Sequence, residues 1–259
     1  MGAILLTVLG SGVAWANPGG VCSGYLVQAG TARVLVDCGS GVLGRLRAKL
    51  DPRELDAVVV SHMHPDHYMD LVGLRYGVKY GGLGGDRPLT VLLPPGGCDV
   101  LAGLGMAIDR NPGFFAEVFA LAEYDPGTPL HVSDLTVTFR RVQHYVPSFA
   151  MRFAVDGRSL VYSSDSAPCS ELVEHARGAD ALLCEAAMLH PGQDEPDPLK
   201  RGHLTASEAG EVARRAGVRR LLITHAPLDP TDPDRAAREA ATQFDGAVER
   251  VTDGQTYSI

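Results

Sequence analysis

Side chains that can bind a metal are concentrated in one short segment of the chain. Residues 61–70 read SHMHPDHYMD and follow an apolar run over residues 55–60. The segment holds four potential ligands: His62, His64, Asp66 and His67. Burying so many imidazole and carboxylate groups after an apolar strand costs desolvation free energy, and packing does not compensate for that cost. The composition of this segment therefore predicts a bound divalent metal.

The spacing within the segment indicates ligands for two ions. His62 and His64 are two residues apart, so on an extended segment their side chains point to the same side. The chain must turn at Pro65, which lets Asp66 and His67 face a second ion. Two metals in a hydrolytic site lie about 3.5–4 Å apart and lower the pKa of a shared water.

Three further candidate ligands each follow a separate predicted strand. The strands Leu135–Val142, Ser159–Ser163 and Leu221–Thr224 are followed by His144, Asp165 and His225. Loops beyond the strand ends converge in α/β folds, so these side chains are expected to complete the site. We expect one metal to be held by His62, His64 and His144. We expect the other to be held by Asp66, His67 and His225, with the Asp165 carboxylate bridging the two.

Composition and charge restrict the class of partner. The 259 residues carry a net charge of −8 and three lysines, without a basic run. A large nucleic acid held through its phosphates normally needs a basic face, so we expect a small-molecule substrate. No apolar run is long enough to span a membrane. The five cysteines are odd in number and form no C-x-x-C pair, which favours reduced thiols and a cytoplasmic location.

The order of predicted elements favours an α/β fold in a single domain over residues 1–259. Strands and then helices alternate in two loosely similar halves, which is typical of two packed sheets with helices outside both. A first strand over Ala3–Leu9 explains the apolar start of the chain better than a cleaved leader does. Helices are predicted over His67–Tyr80, Val100–Ile108, Phe114–Glu123 and, after a capping box at 205–208, up to Ala216. Hairpins are predicted at 156–157 and 253–254.

The residues His62-Met63-His64-Pro65-Asp66-His67 resemble the H-x-H-x-D-H signature of the metallo-β-lactamase superfamily. His144, Asp165 and His225 follow in that family's order, and Val36-Asp37-Cys38-Gly39 resembles its early motif, in which the aspartate supports the metal loop. The resemblance covers essentially the whole chain. It implies an αββα sandwich of two mixed β-sheets with helices on both outer faces, two metals that are usually zinc, and a homodimer. A His/Asp ligand set also accepts manganese or iron.

A narrower resemblance points to the ribonuclease Z-like branch. Residues 202–209, GHLTASEA, are similar to its histidine motif, and Cys184-Glu185-Ala186-Ala187 resembles its H-E-A-T segment with cysteine in the first position. The resemblance implies that Glu185 orients His203, which stabilises or protonates the departing oxygen of a phosphodiester. An imidazole needs an acceptor to fix its tautomer, and a leaving alkoxide needs a proton donor, so the pair is chemically sensible.

Three features depart from ribonuclease Z itself. The loop over residues 10–20 contains no lysine or arginine, whereas the family carries a basic loop there. The interval between His144 and Asp165 is too short for the family's tRNA-gripping arm. Ser164 stands where the family usually has glycine, which tolerates a positive φ better. The first two departures favour a small phosphodiesterase over an enzyme that processes tRNA.

The resulting hypothesis is a dinuclear metal-dependent hydrolase. It would cleave a small phosphodiester or cyclic nucleotide-type substrate through a metal-bridging hydroxide that Asp66 orients, while His203 and Glu185 assist the leaving group. Three alternatives stay open: hydrolysis of a carboxylic ester or lactone, endonucleolytic processing of tRNA 3′ ends, and metal binding without catalysis.

Other residues are candidates for the wall of the pocket. Tyr145, Ser148 and the glycine-rich segment over 81–85 could line it. The acidic loop over residues 193–198 is expected to lie near His203 and to repel highly charged substrates.

Overall fold

Two seven-stranded mixed sheets form the centre of the fold. The computed structural model describes residues 2–197 and 200–259, so Met1, Pro198 and Leu199 lie outside the described residues. The first sheet has the strand order β14-β1-β2-β3-β4-β5-β6, and the second has the order β13-β12-β11-β10-β9-β8-β7. Their strands are β1 Leu5–Gly10, β2 Gly24–Ala29, β3 Ala32–Val36, β4 Ala57–Val59, β5 Leu89–Leu93, β6 Phe119–Glu123, β7 Leu130–Val132, β8 Leu135–Val142, β9 Ser148–Val155, β10 Arg158–Tyr162, β11 Ala181–Glu185, β12 Arg220–Thr224, β13 Ala247–Arg250 and β14 Thr256–Ser258.

Each sheet combines antiparallel and parallel pairs. In the first sheet β14, β1, β2 and β3 are antiparallel neighbours, and β3, β4, β5 and β6 are parallel. In the second sheet β7, β8, β9 and β10 are antiparallel, and β10, β11, β12 and β13 are parallel. The helices are α1 Val42–Arg47, α2 Pro65–Tyr68, α3 Leu71–Tyr80, α4 Gly97–Asp109, α5 Ser170–Ala176, α6 Ala206–Ala216 and α7 Arg235–Ala241, with a short 3₁₀ turn at Pro52–Glu54.

Alternation along the strands produces three apolar layers. Val34 and Val36 of β3 face a core between the sheets, while Leu35 faces the helices outside the first sheet. In β11, Leu183 faces the same central core and Leu182 faces the helices outside the second sheet. This period of two is what a strand covered on both faces requires. The predicted αββα sandwich of two mixed sheets is therefore confirmed.

Most of the predicted elements occur with small shifts in their ends. The hairpin at 156–157 is confirmed, with φ of 49° at Asp156 and 79° at Gly157, as a tight two-residue turn requires. The capping box is also confirmed: Thr205 and Glu208 bond each other's backbone N–H groups, and the helix that they open ends before Gly217 at φ 64°. None of the helices within residues 2–197 and 200–259 combines the length and the apolar composition of a membrane-spanning segment.

The helix predicted over Phe114–Glu123 is wrong. Residues 112–118 form turns, and Phe119–Glu123 is the edge strand β6, which pairs in parallel with β5 over five positions. The Phe119 side chain is buried against the helix side of the first sheet. The open edge of β5 offered backbone hydrogen bonds that outweighed local helix propensity, which is a weak preference.

The helix predicted over His67–Tyr80 and the hairpin predicted at 253–254 also need correction. The helix is interrupted between α2 and α3, where Asp70 N–H donates to Cys38 O and the Asp70 carboxylate accepts from Leu43 N–H at 2.8 Å. These tertiary bonds turn the chain and leave α2 as a separate four-residue helix. The turn at 253–254 does not form a hairpin, because β13 pairs with β12 and β14 pairs with β1 in the other sheet.

Candidate metal centre

The predicted ligands all lie at one edge of the sandwich, beyond the ends of four strands. His62 and His64 follow β4, and α2 carries Asp66 and His67 directly afterwards. His144, Asp165 and His225 lie in the segments after β8, β10 and β12. Two groups result, each with its ligand atoms within 4.8 Å of one another: His62, His64, His144 and Asp165, and Asp66, His67, Asp165 and His225. Asp165 belongs to both, as expected of a bridging carboxylate.

The first group brings three imidazole nitrogens face to face. His64 Nδ1 lies 3.2 Å from His62 Nε2 and 3.0 Å from His144 Nε2. His144 donates from Nδ1 to Gly202 O at 2.8 Å, so a neutral ring carries its lone pair on Nε2. His62 Nδ1 faces the Ser61 hydroxyl at 3.2 Å, which orients that ring in the same way. The lone pairs of His62 Nε2 and His144 Nε2 therefore face His64 Nδ1, an arrangement in which a cation can be held.

Burial keeps the rings of this group neutral. Desolvation lowers the pKa of His62 well below its ordinary value and that of His144 to about 4. Neutral imidazoles are the form that binds a metal.

The second group contains two buried atoms without a hydrogen-bond partner among the described residues. His67 Nε2 lies 3.3 Å from Asp66 Oδ2 and 3.4 Å from Asp165 Oδ1, and His225 Nε2 lies 3.3 Å from Asp165 Oδ2. His67 Nε2 and Asp165 Oδ1 are the orphaned pair. Buried polar atoms are normally satisfied, so this pair fits the coordination of a cation.

The charge balance of the site also fits a cation. Asp37, Asp66 and Asp165 are all buried, the most accessible at 8% exposure. In the described part of the chain, their ion pairs are with histidines, and none involves a lysine or arginine. Three buried carboxylates without a permanent positive partner would be costly. The donor set of histidines and carboxylates suits zinc and also accepts manganese or iron.

Asp37 bonds the segment that carries the candidate ligands, which is the contact that the resemblance implied. Its Oδ1 accepts from Ser61 N–H at 2.7 Å, and its Oδ2 accepts from the Ser61 hydroxyl at 2.8 Å. The same Oδ2 accepts from His67 Nδ1 at 2.7 Å and from the Tyr162 hydroxyl at 2.9 Å. The bond to His67 leaves Nε2 of that ring as the free, inward-facing nitrogen.

Several supporting contacts could not be found from the sequence. The Ser23 hydroxyl lies 2.9 Å from His225 Nδ1, and Gly202 O holds His144. Ser148 donates to Asp165 O and bonds the Ser164 hydroxyl, both at 2.8 Å. A serine hydroxyl and a backbone carbonyl carry no distinctive spacing signal, so only the folded chain identifies these contacts.

Backbone strain is concentrated beside the candidate ligands. Ser164, where the family usually has glycine, adopts φ 55°, and His225 and Asp37 adopt φ 43° and 58°. Side chains at these positions disfavour the left-handed region, so the surrounding bonds must hold them.

His203 and Glu185 form a pair next to both groups. His203 Nδ1 lies 2.9 Å from Glu185 Oε1 and 3.9 Å from Asp165 Oδ2. Glu185 is fully buried and also accepts from the N–H groups of Ser166 and Ala187 at 2.7 and 2.9 Å. Burial opposes a proton on His203, but the charge and hydrogen bond of Glu185 outweigh it and raise the pKa of His203 to about 9. The predicted orienting contact is present.

A cleft of about 270 Å³ opens onto this edge. Its lining includes ligand candidates and His203, together with the buried Met188 and the exposed Trp15, Tyr145, Gln193 and Asp194. Tyr145 thus lies where the sequence suggested. Ser148 is buried beneath the site instead, and the glycine-rich segment 81–85 borders other depressions beside Arg53 and Arg87. Of the acidic loop, Gln193 and Asp194 reach the cleft, whereas Pro198 lies outside the described residues.

Comparisons with known proteins identify the family of the chain. Residues 32–226 match the family model described as "Beta-lactamase superfamily domain". An uncharacterized protein of Mycobacterium tuberculosis is 37% identical over 99% of this chain and 93% of its own length. The probable metallo-hydrolase YhfI of Bacillus subtilis is 32% identical over 90% of each chain, and the ribonuclease Z of Mycobacterium marinum is 30% identical over 96% of each.

Solved structures resemble the whole chain. The crystal structure of YhfI, a metallo-β-lactamase fold protein from Bacillus subtilis, superimposes with a TM-score of 0.84 at 28% identity, covering 99% of this chain and 100% of that one. The short form of human tRNase Z superimposes with a TM-score of 0.72 at 20% identity, covering 98% and 99%. The second similarity concerns the fold alone.

Proposed function

Since the chain belongs to the β-lactamase superfamily and one of its relatives is a probable metallo-hydrolase, we propose that it is a dinuclear metal-dependent phosphodiesterase. Its substrate would be a small phosphodiester or a cyclic nucleotide-type molecule. The observation that carries this proposal is the His203–Glu185 pair, whose 2.9 Å contact holds an imidazole at the same edge as the two groups of candidate ligands.

Each group of side chains would hold one ion. His62, His64 and His144 would hold the first, and Asp66, His67 and His225 the second, with Asp165 between them. When bound, two divalent cations supply Lewis-acid polarisation of phosphoryl oxygens and a lowered pKa for water. The hydrogen bonds that Asp37, Ser61 and Gly202 make to the outer ring nitrogens hold the ligand rings in place before any ion arrives.

Asp66 has a second role in the proposal. Its carboxylate borders the cleft, and Oδ2 faces His67 Nε2 at 3.3 Å. A carboxylate at this position can accept a hydrogen bond from the attacking water and orient it. Asp66 is therefore both a ligand and an orienting residue.

His203 is the proposed proton donor for the leaving group. It is held by Glu185, lines the cleft, and lies against His144 with ring centroids 4.9 Å apart. An alkoxide leaving from phosphorus is strongly basic, so a positioned imidazolium lowers the barrier to its departure. Glu185 acts through His203 and is a positioning residue.

The surroundings of the site favour a small substrate over tRNA. The loop over residues 10–20 has no basic residue, and β9 connects to β10 through the two-residue turn at 156–157, which leaves no room for an arm. None of the described residues that line the cleft is a lysine or arginine. A polyanion would therefore find few of the phosphate contacts that supply its affinity.

A direct comparison of substrate classes tests the proposal. Metal-loaded protein is assayed side by side with bis(p-nitrophenyl) phosphate and with a panel of carboxylic esters and lactones. We expect kcat/KM to be highest for the phosphodiester. Faster hydrolysis of a lactone would contradict the proposal, and metal content without hydrolysis of any ester would indicate a protein that binds metal without catalysis.

A further inference from the structure

The wall of the cleft on the His203 side carries a negative charge that the proposed chemistry does not use. The acidic side chains of the described lining are Asp66 and Asp165, both candidate ligands, and Asp194, which is not part of either ligand group. Asp194 lies in the segment that leads from β11 to α6. Its position beside the reacting centre raises the question of what it does to a substrate.

Three donors hold the Asp194 carboxylate. Oδ2 accepts from the Tyr145 hydroxyl and from Gly202 N–H, and Oδ1 accepts from Glu195 N–H at 2.8 Å. Burial opposes ionisation only in part, and the hydrogen bonds from Tyr145 and the backbone lower the pKa of Asp194 below its ordinary value. The side chain is therefore a fixed anion at neutral pH.

Tyr145 fixes this anion relative to the reacting groups. Its ring centroid lies 5.2 Å from that of His144 and 6.0 Å from that of His203. The ring packs on Gly202, where a Cβ atom would lie 2.3 Å from Tyr145 Cε2, so only glycine permits this contact. Gly202 also accepts the hydrogen bond from His144 Nδ1. Asp194 is thereby attached to the same rigid unit as the candidate catalytic histidine.

We infer that Asp194 makes the cleft selective for phosphodiesters that carry no second anionic group, with the remainder of the molecule neutral or cationic. This inference rests on the proposed function. Repulsion by a fixed charge discriminates between partners as effectively as an added contact. The described lining has no lysine or arginine to offset that repulsion. The exposed Trp15 and Tyr145 present aromatic faces that accept a neutral or cationic group.

Three p-nitrophenyl phosphodiesters of similar size test the inference. Their second ester group is n-butyl, 3-aminopropyl or 2-carboxyethyl, so they differ mainly in charge. For the wild-type protein we expect kcat/KM for the carboxyethyl ester to be roughly threefold to tenfold below that for the butyl ester, with the aminopropyl ester at least equal to the butyl ester. Because Asp194 is exposed to solvent, salt should screen its charge. The difference in kcat/KM between the carboxyethyl and butyl esters should therefore shrink when about 0.5 M sodium chloride is added.

Variants separate charge from loop structure. Asp194→Asn keeps an oxygen acceptor for Tyr145 and should close the gap. Glu195→Gln removes the same charge from the next residue, which is not among the described residues that line the cleft. This variant should keep the difference in kcat/KM between the esters. Tyr145→Phe removes a hydrogen bond but no charge, and should preserve most of the discrimination. Metal content is measured for every variant.

Each outcome bears on the inference. Equal rates for the three esters, an unchanged gap in Asp194→Asn, or equal closure by Glu195→Gln would overturn it while leaving the phosphodiesterase proposal intact. If Asp194→Asn does not fold, a gap in the wild type that is insensitive to salt would overturn it as well. Failure of the metal-loaded wild type to cleave any of the three would overturn the proposed function, and this inference with it.

Discussion

Asp165 presents its two carboxylate oxygens to two different histidines: Oδ1 lies 3.4 Å from His67 Nε2, and Oδ2 lies 3.3 Å from His225 Nε2. Oδ2 also lies 3.7 Å from His62 Nε2, in the first group of candidate ligands. One side chain therefore joins the two groups, and its geometry has direct consequences for metal content.

Asp165→Asn is expected to lower metal content to fewer than about one ion per chain, against about two in the wild type. The amide keeps one oxygen but removes the negative charge that would be shared between the ions. The number of zinc ions per chain is measured by inductively coupled plasma mass spectrometry after dialysis against buffered zinc. Asp134→Asn is the matched control, because Asp134 is exposed and belongs to neither group of candidate ligands. This variant should bind as much metal as the wild type. Full metal content in Asp165→Asn would show that Asp165 does not bridge.

His203→Gln is expected to reduce turnover according to the leaving group. General acid catalysis contributes on the order of 10²–10⁴-fold and matters most when the departing oxygen is basic. With methyl aryl phosphates, the loss should be below about tenfold for p-nitrophenol and rise to about 100-fold or more for phenol. Metal content should not change. The exposed His190→Gln serves as control, and an equal loss across the series would rule out His203 as the proton donor.

Replacing Ser164 should reveal the strain at φ 55°. Ser164→Ala and Ser164→Gly both lose the hydroxyl bond to Ser148, but glycine relieves the left-handed backbone. We expect the glycine variant to be more stable than the alanine variant by about 0.5–1 kcal/mol. Denaturant unfolding of metal-free protein measures the difference. Glu174 is an exposed position inside α5 and serves as the control. There the order should be reversed, with Glu174→Ala more stable than Glu174→Gly, because glycine disfavours a helix interior.

His175 is expected to make stability depend on pH at a site remote from the metal ligands. Burial lowers the pKa of His175 to about 4, although its Nε2 donates to Thr138 O at 3.2 Å. Between about pH 6.5 and pH 4 the unfolded chain binds a proton that the folded chain does not, so stability falls as pH falls through this window. Between pH 7 and pH 5 the wild type should lose about 1–2 kcal/mol more than His175→Gln. Parallel pH profiles for the two proteins would contradict this.

The candidate site was predictable because its residues carry both a local and a topological signal. Four of them fall in one hexapeptide, and Asp165 and His225 follow apolar runs that are recognisable as buried strands. Once those runs are placed as strands, the convergence of their ends follows from how sheets are built. The Glu185–His203 contact depended on resemblance, because 18 residues separate the pair along the chain.

The elements that were mispredicted are those whose structure depends on distant partners. Phe119–Glu123 has no strong strand pattern, and it becomes a strand because β5 lies beside it. The turn at 253–254 is correctly a turn, but nothing local shows that β14 continues into the other sheet beside β1. The bond from Ser23 to His225 joins residues 202 positions apart, and a serine before a strand predicts no such contact.

Titration of metal-free protein with zinc tests the central claim most directly. Protein stripped with a chelator is assayed for hydrolysis of bis(p-nitrophenyl) phosphate as zinc is added in known equivalents. The account predicts no hydrolysis without metal and a rise that reaches its plateau at about two equivalents per chain. Full activity in the metal-free protein, or no diester hydrolysis at any zinc level, would contradict it.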